Sequence, residues 1–160
     1  MDTIAELIGH APGLRALSAE HRETIAGCAI NRVFPAGELL MGAGRPADTF
    51  FVIRRGSVAL ETFAPHRGAI TIETVGEGEL LGWSWLVPPY RTAFDARALV
   101  PTHAIAFDAA CLRGKFAADP ALGYELLQVF TAVMVDRLQS TRLRLLDVYG
   151  KVSGEPVPGR

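Results

Sequence analysis

Residues 76–98 hold the groups best suited to chemistry: Gly-Glu-Gly-Glu-Leu-Leu-Gly-Trp-Ser-Trp-Leu-Val-Pro-Pro-Tyr-Arg-Thr-Ala-Phe-Asp-Ala-Arg-Ala. Their order reads as a turn, a short strand, one tight helical turn, a Pro-rich bend and another strand. Backbone N–H groups converge in such a turn, and Arg91 lies beside them, so the stretch reads as the best candidate for a binding site. Trp83 and Trp85 offer flat apolar faces. Other chemistry is thin. His10, His21, His66 and His103 are scattered without the spacing of a metal pair, and read as surface or satisfied core residues. No Ser/His/Asp set and no carboxylate pair assembles, so the chain does not read as an enzyme. Cys28 and Cys111 lie far apart without metal-type spacing, and the simplest reading is a reduced, cytosolic chain. Cys111 is followed by Arg113 and Lys115, yet reads as an inert buried thiol.

The bulk properties set the class. A chain of 160 residues with 49% apolar and 21% charged residues reads as one globular domain with a sizeable core. Lys and Arg number 16 against 17 Asp and Glu, a net charge of -1, which argues against nucleic acid as partner. Asp2 and Glu6 near the start, with no long apolar run, do not read as a signal peptide. No stretch is apolar over the roughly 18 residues that a membrane span needs. A cytoplasmic protein is the expectation.

The elements that must position the stretch follow from caps and periods. Residues 3–9 read as a short helix ended by Gly9, with Pro12 and Gly13 as breakers. Ser18 N-caps a second helix over 19–28, with Glu20 and Glu23 in its first turn. From Asn31 the period changes to short strands at about 32–34, 38–41, 49–53, 57–62, 69–75, 92–99 and 102–107, punctuated by Gly and Pro. Strands this short and dense predict an antiparallel roll or sandwich rather than βαβ units. Asp108 can cap a short helix to about Phe116. Asp119-Pro120 is a strong helix start, and the long helix should run to about Tyr149, where Gly150 stops it. Its apolar positions include Leu122, Leu126, Phe130, Val133, Leu138, Leu145 and Val148, a stripe too long for a small roll to cover alone. Arg137, Arg142 and Arg144, interleaved with Asp136 and Asp147, read as a solvated face with ion pairs. Residues 151–160 read as a flexible tail.

In this order of elements, Arg32-Val33-Phe34-Pro35-Ala36-Gly37-Glu38, then Gly44-Arg45-Pro46-Ala47-Asp48, then Phe51-Val52-Ile53 with Gly56-Ser57-Val58, resemble the cyclic-nucleotide-binding domain. The closest kinds are the bacterial catabolite activator and anaerobic regulators. The resemblance covers roughly residues 5 to 150. It implies a mainly β fold with α, a double-stranded, jelly-roll-like β-roll at 31–107. Short helices at 1–30 would precede it, and helices at 108–150 would end in a long dimerisation helix. Leu146-Asp147-Val148 resembles the hinge before the family's helix-turn-helix. The sequence goes little further, so a sensor domain without direct DNA binding is the expectation.

The resemblance also implies a site. The family's cassette reads roughly Gly-Glu, several variable residues, then Arg-Ser/Thr-Ala. Its glutamate accepts from the ribose 2′-hydroxyl, and its arginine pairs with the cyclic phosphate. Here Gly82 matches the glycine, and Trp83 stands where the glutamate belongs. Indole donates one hydrogen bond and accepts none. The missing acceptor should cost about 1–3 kcal/mol. Ser84 follows with its amide at the short helix. Arg91-Thr92-Ala93 resembles the second half of the cassette. A gapless count puts Thr92 at the phosphate position, and one compensating shift restores Arg91. Ser140 and Thr141 are the equivalents of residues that reach the base from the dimer interface, or else plain helix surface. Trp85 reads as a structural anchor. Trp83 reads as a pocket residue, plugging the site or stacking on a planar ligand.

Two functions compete. One is a stand-alone regulatory sensor, a homodimer through residues 121–149. It would bind a small anionic ligand, cAMP, cGMP or a relative, and signal to a partner protein whose identity the residues do not give. The other is a degenerate domain, its pocket closed by Trp83, serving as a dimeric interaction scaffold. Neither needs a metal.

Overall fold

The computed structural model describes residues 1–152, with the backbone alone for Lys151 and Val152. Helix α1 spans Ile4–His10 behind a capping box formed by Thr3 and Glu6. Helix α2 spans Ala19–Ala26, and Ser18 Oγ accepts from the His21 amide at 3.2 Å. Eight strands follow: β1 Ala29–Phe34, β2 Leu39–Met41, β3 Thr49–Arg55, β4 Val58–Ala64, β5 Gly68–Val75, β6 Leu80–Leu81, β7 Asp95–Ala98 and β8 Thr102–Asp108. All pair antiparallel, in two four-stranded sheets ordered β1-β8-β3-β6 and β2-β7-β4-β5. This is the expected double-stranded roll. Helix α3 (Ala109–Ala118) starts at Asp108, whose carboxylate accepts from the Cys111 amide at 2.6 Å. Helix α4 (Pro120–Val152) starts at Asp119, which accepts from the Leu122 amide at 3.3 Å.

Strand alternation divides the core in two. Phe51 and Ile53 of β3 point into the roll, onto Val58, Val75, Ala96 and Ala98 of the other sheet. Phe50 and Val52 point the other way, onto Leu122, Leu126 and Phe130 of α4. Trp85, in a 3₁₀ turn at Ser84–Leu86, is 1% exposed and stacks on Phe50 at 5.1 Å. It is the anchor that the sequence suggests. Among the described residues no helix is long and apolar enough to cross a membrane.

Four expectations about these elements need correction. Helix α1 does not end at Gly9 but runs through it to His10. Helix α4 does not stop at Gly150 but continues to Val152. A glycine costs a helix about 1 kcal/mol and does not forbid it. The remaining part of the expected tail lies outside the described residues. Strand β7 begins at Asp95 rather than near 92, because the Thr92 amide donates instead to the Arg45 carbonyl at 2.9 Å. The cysteines are not two separate thiols. The start of β1 and the first turn of α3 bring Cys28 and Cys111 together, and they form a disulfide across a sequence separation of 83 with Cα atoms 5.7 Å apart. Spacing alone does not reveal such a long-range pairing.

His21 lies between the two carboxylates at the start of α4. Its Nδ1 is 2.6 Å from Glu125 Oε2, and its Nε2 is 3.1 Å from Asp119 Oδ2. The hydrogen bond to Glu125 raises its pKa, burial opposes this, and the Glu125 charge and the bond to Asp119 add to the rise. Protonated His21 therefore ties α2 to α4.

Two outcomes follow. A cross-link over this loop should stabilise by about 4.5 kcal/mol on chain-entropy grounds. Urea unfolding with and without dithiothreitol, or of Cys111→Ser, should show that drop, and an unchanged midpoint would rule the bond out. For His21, the raised folded pKa makes the contribution complete below the unfolded value of about 6.5 and lost as pH rises through the folded value. His21→Gln should thus destabilise more at pH 5.5 than at pH 9, and an equal loss at both would refute the ion pairs.

Candidate functional site

Turn geometry places the cassette-like residues. Gly82 has φ +91°, a backbone conformation that favours glycine, and so lets the chain enter the 3₁₀ turn. Trp83 caps that turn, and Leu86 N donates to Trp83 O at 3.0 Å. Beyond the Pro-rich bend, the chain at 90–92 is pinned on the turn at 44–47. Ala47 N donates to Tyr90 O at 2.8 Å, Gly44 N to Thr92 O at 2.7 Å, and Thr92 N to Arg45 O at 2.9 Å.

This pinning sets which side chains face inward. Thr92 points inward and is buried. Arg91, its neighbour in an extended segment, points outward, and its Nη1 donates to Gly44 O at 2.9 Å. Gly82, Trp83, Ser84, Thr92 and Thr141 line one cavity of about 340 Å³ between the roll and α4. Arg91 and Ser140 do not line it. Thr141 Oγ1 donates to the Arg137 carbonyl at 2.9 Å.

The walls are mostly apolar: Met41, Leu60 and Ile72 from the strands, Phe94 from the loop before β7, and Met134 and Leu138 from α4. The polar residues include Glu73 and Arg137. Arg137 is the largest departure from the sequence reading. It is not on a solvated face but 8% exposed. Its Nη2 donates to Leu80 O, its Nε lies 3.6 Å from Glu73 Oε1, and its guanidinium lies over the Trp83 indole at 5.0 Å. Two turns on, Arg144 Nη1 donates to the Ile72 carbonyl at 3.0 Å. Two arginines of α4 therefore hold strand β5. A signal was present: Leu126, Phe130, Val133 and Arg137 follow helical i+3/i+4 spacing, which puts Arg137 on the buried stripe. Glu73 carries no local signal, since on its own it is one acidic residue in an alternating strand.

A larger cavity of about 670 Å³ lies on the other side of Arg137, between Pro12–Leu17, the turn at Glu77–Leu80 and α4. Glu77, Glu79, Glu125 and Asp136 line it, so it disfavours anions, and no residue of the 3₁₀ turn lines it. The smaller cavity, with the cassette on one wall and α4 on the other, is the candidate site.

Comparison with known proteins agrees with this layout. The family model of the cyclic nucleotide-binding domain matches residues 31–119, more than half of the chain. A CRP-like cAMP-activated global transcriptional regulator of Mycobacterium tuberculosis is 26% identical over 127 residues, 79% of this chain and 53% of its own. The chain thus spans about half the length of the curated relatives it matches. Among solved structures, a candidate cyclic nucleotide-binding protein from Geobacter metallireducens has a TM-score of 0.76 at 26% identity, covering 86% of this chain and 99% of its own. A cyclic nucleotide-binding domain from Methylobacillus flagellatus has a TM-score of 0.77 at 21% identity, covering 99% of this chain and 84% of its own. The matched span runs from within β1 through β8 and holds the Gly82–Thr92 wall, and on that match the chain belongs to the cyclic nucleotide-binding domain family.

Proposed function

We propose that the chain is a ligand-sensing regulatory domain, in which a small anionic ligand enters the roll cavity and biases helix α4, whose C-terminal half a partner protein reads. One observation carries this reading. The cavity is walled on one side by Trp83, Ser84 and Thr92 and on the other by Arg137, Leu138 and Thr141 of α4. A ligand there touches the roll and the helix together, so it can favour one helix position over another by differential contact. The open volume beside Trp83 speaks against the scaffold reading, in which the indole fills the site.

Cyclic nucleotides are poorly served by this cavity. Trp83 cannot accept from a ribose hydroxyl, and Arg91 is directed to Gly44 O. Each loss costs about 1–3 kcal/mol. Arg137 is the cation left on the wall.

Helix α4 also supports a homodimer. Leu127, Met134, Thr141 and Val148 recur at seven residues, offset by four from Thr131, Leu138 and Leu145, a coiled-coil seam. Leu127, Leu138, Leu145 and Val148 are each about half exposed or more. A second α4 would bury them and lie across the mouth of the cavity at Leu138 and Thr141.

Isothermal titration with cAMP and cGMP tests the ligand. Wild type should bind only in the millimolar range, and Trp83→Glu, which restores an acceptor, should bind cAMP about tenfold or more tighter. Absence of heat and of thermal shift at millimolar concentration removes cyclic nucleotides, and micromolar wild-type affinity removes the case built on the missing anchors. Sedimentation should find a dimer at micromolar concentration and a monomer for Leu145→Glu. A wild-type monomer would sink the dimer.

A further inference from the structure

The Glu73–Arg137 contact is unusual for a buried arginine. A charge taken out of water needs a counter-charge and hydrogen bonds. Arg137 has both, but of unequal quality. The Leu80 carbonyl accepts a hydrogen bond from it, whereas the Glu73 carboxylate stands off at 3.6 Å. Charge-assisted N–H···O bonds close to roughly 2.7–2.9 Å. Glu73 therefore neutralises Arg137 without bonding it tightly. Glu73 also lies on β5, the outermost strand of its sheet, and its side chain is 23% exposed, so it can turn out to water at small cost.

The remaining surroundings define what could take its place. Among the described residues that line the cavity, Arg137 is the one cation. Beside it lie the Trp83 indole, Phe94, and the aliphatic walls Met41, Leu60 and Ile72. Aromatic faces favour a flat apolar body. A volume of about 340 Å³ limits that body to a small molecule. One cation, already offset by Glu73, matches one negative charge and leaves a second without a partner.

The geometry points to a flat, largely apolar molecule with a single carboxylate as the ligand of this cavity, its carboxylate displacing Glu73 from Arg137. This rests on the reading that the roll cavity is the ligand site, and it names the ligand class and the switch. Without ligand, Arg137–Glu73 ties α4 to β5. With ligand, the carboxylate takes the guanidinium, Glu73 is released, and the tie between helix and edge strand is exchanged for one through the ligand. Glu73 is thus a built-in competitor that sets the affinity and couples occupancy to the helix.

The test uses the full chain and three probes: 2-naphthoate, its uncharged amide 2-naphthamide, and cAMP. Quenching of tryptophan fluorescence and thermal shift are the readouts, because Trp83 lines the cavity and Trp85 is buried outside it. 2-Naphthoate should quench saturably and raise the melting temperature, with the amide about tenfold weaker for want of the charge-assisted bond. Glu73→Gln should tighten 2-naphthoate severalfold and leave the amide unchanged. Arg137→Met should erase the preference for the acid. Should Arg137→Met fail to fold, Glu73→Gln still decides. Equal binding of acid and amide, weaker acid binding by Glu73→Gln, or no binding of the acid overturns the inference. If the acid is silent while cAMP binds, the inference fails and the sensor reading stands. Silence of all three probes in fluorescence, melting and heat overturns both.

Discussion

The ring of Phe50 is the contact on which the rest of this structure depends. It lies parallel to Phe107 at 4.4 Å and nearly parallel to Trp85 at 5.1 Å, and it meets Phe130 edge-on at 5.0 Å. Trp85 meets Phe130 at 5.6 Å and Phe116 at 5.7 Å. Five rings from β3, β8, the 3₁₀ turn, α3 and α4 thus share one apolar volume. Each such pair is worth about 0.5–1.5 kcal/mol beyond its buried area. The consequence is positional. Because Trp85 is locked into this cluster, Trp83 two residues earlier must face the gap between roll and helix. Because Phe130 is locked into it, Arg137 two turns later must face the same gap.

The cavity wall is therefore a by-product of core packing, and its polar groups are adjustable. Trp83 has no ribose acceptor to offer, but it gives Arg137 a π face. Arg91 has turned to Gly44 O, but the backbone bonds of Thr92 to the 44–47 turn keep that wall in place. The aromatic cluster does not sense either change. Fold and ligand chemistry are held by different residues, which is why a family-level match speaks firmly about the roll and weakly about what enters it.

The same separation explains what could be read from residues alone. Helix starts were legible because capping is local: Ser18, Asp108 and Asp119-Pro120 each act within three residues. The strands were legible from Gly and Pro punctuation, and the cassette from the run Gly82-Trp83-Ser84. Register at Arg91 and Thr92 was not, because the deciding hydrogen bonds come from a turn more than forty residues earlier. The disulfide and the Glu73–Arg137 contact are long-range for the same reason. The charge run of Arg137, Arg142 and Arg144 with Asp136 and Asp147 points to a solvated face, which is misleading for Arg137. Its neighbours along the helix face, Phe130, Val133 and Met134, were the better guide.

The position of Arg137 also constrains how a signal could travel. It forms part of the walls of two cavities, one mostly apolar and one rimmed with carboxylates. Its Leu80 bond fixes it to β6, and Arg144 holds β5 two turns further on. A change at the guanidinium is therefore felt by both sheets: β6 belongs to the sheet that carries the aromatic cluster, and β5 is the edge of the other. A helix gripped by both sheets at one residue does not need a large displacement to report an event in the cavity. On the proposed reading, exchange of one carboxylate partner for another at Arg137 would alter the balance between the two grips, and α4 beyond Thr141 would carry the result outward.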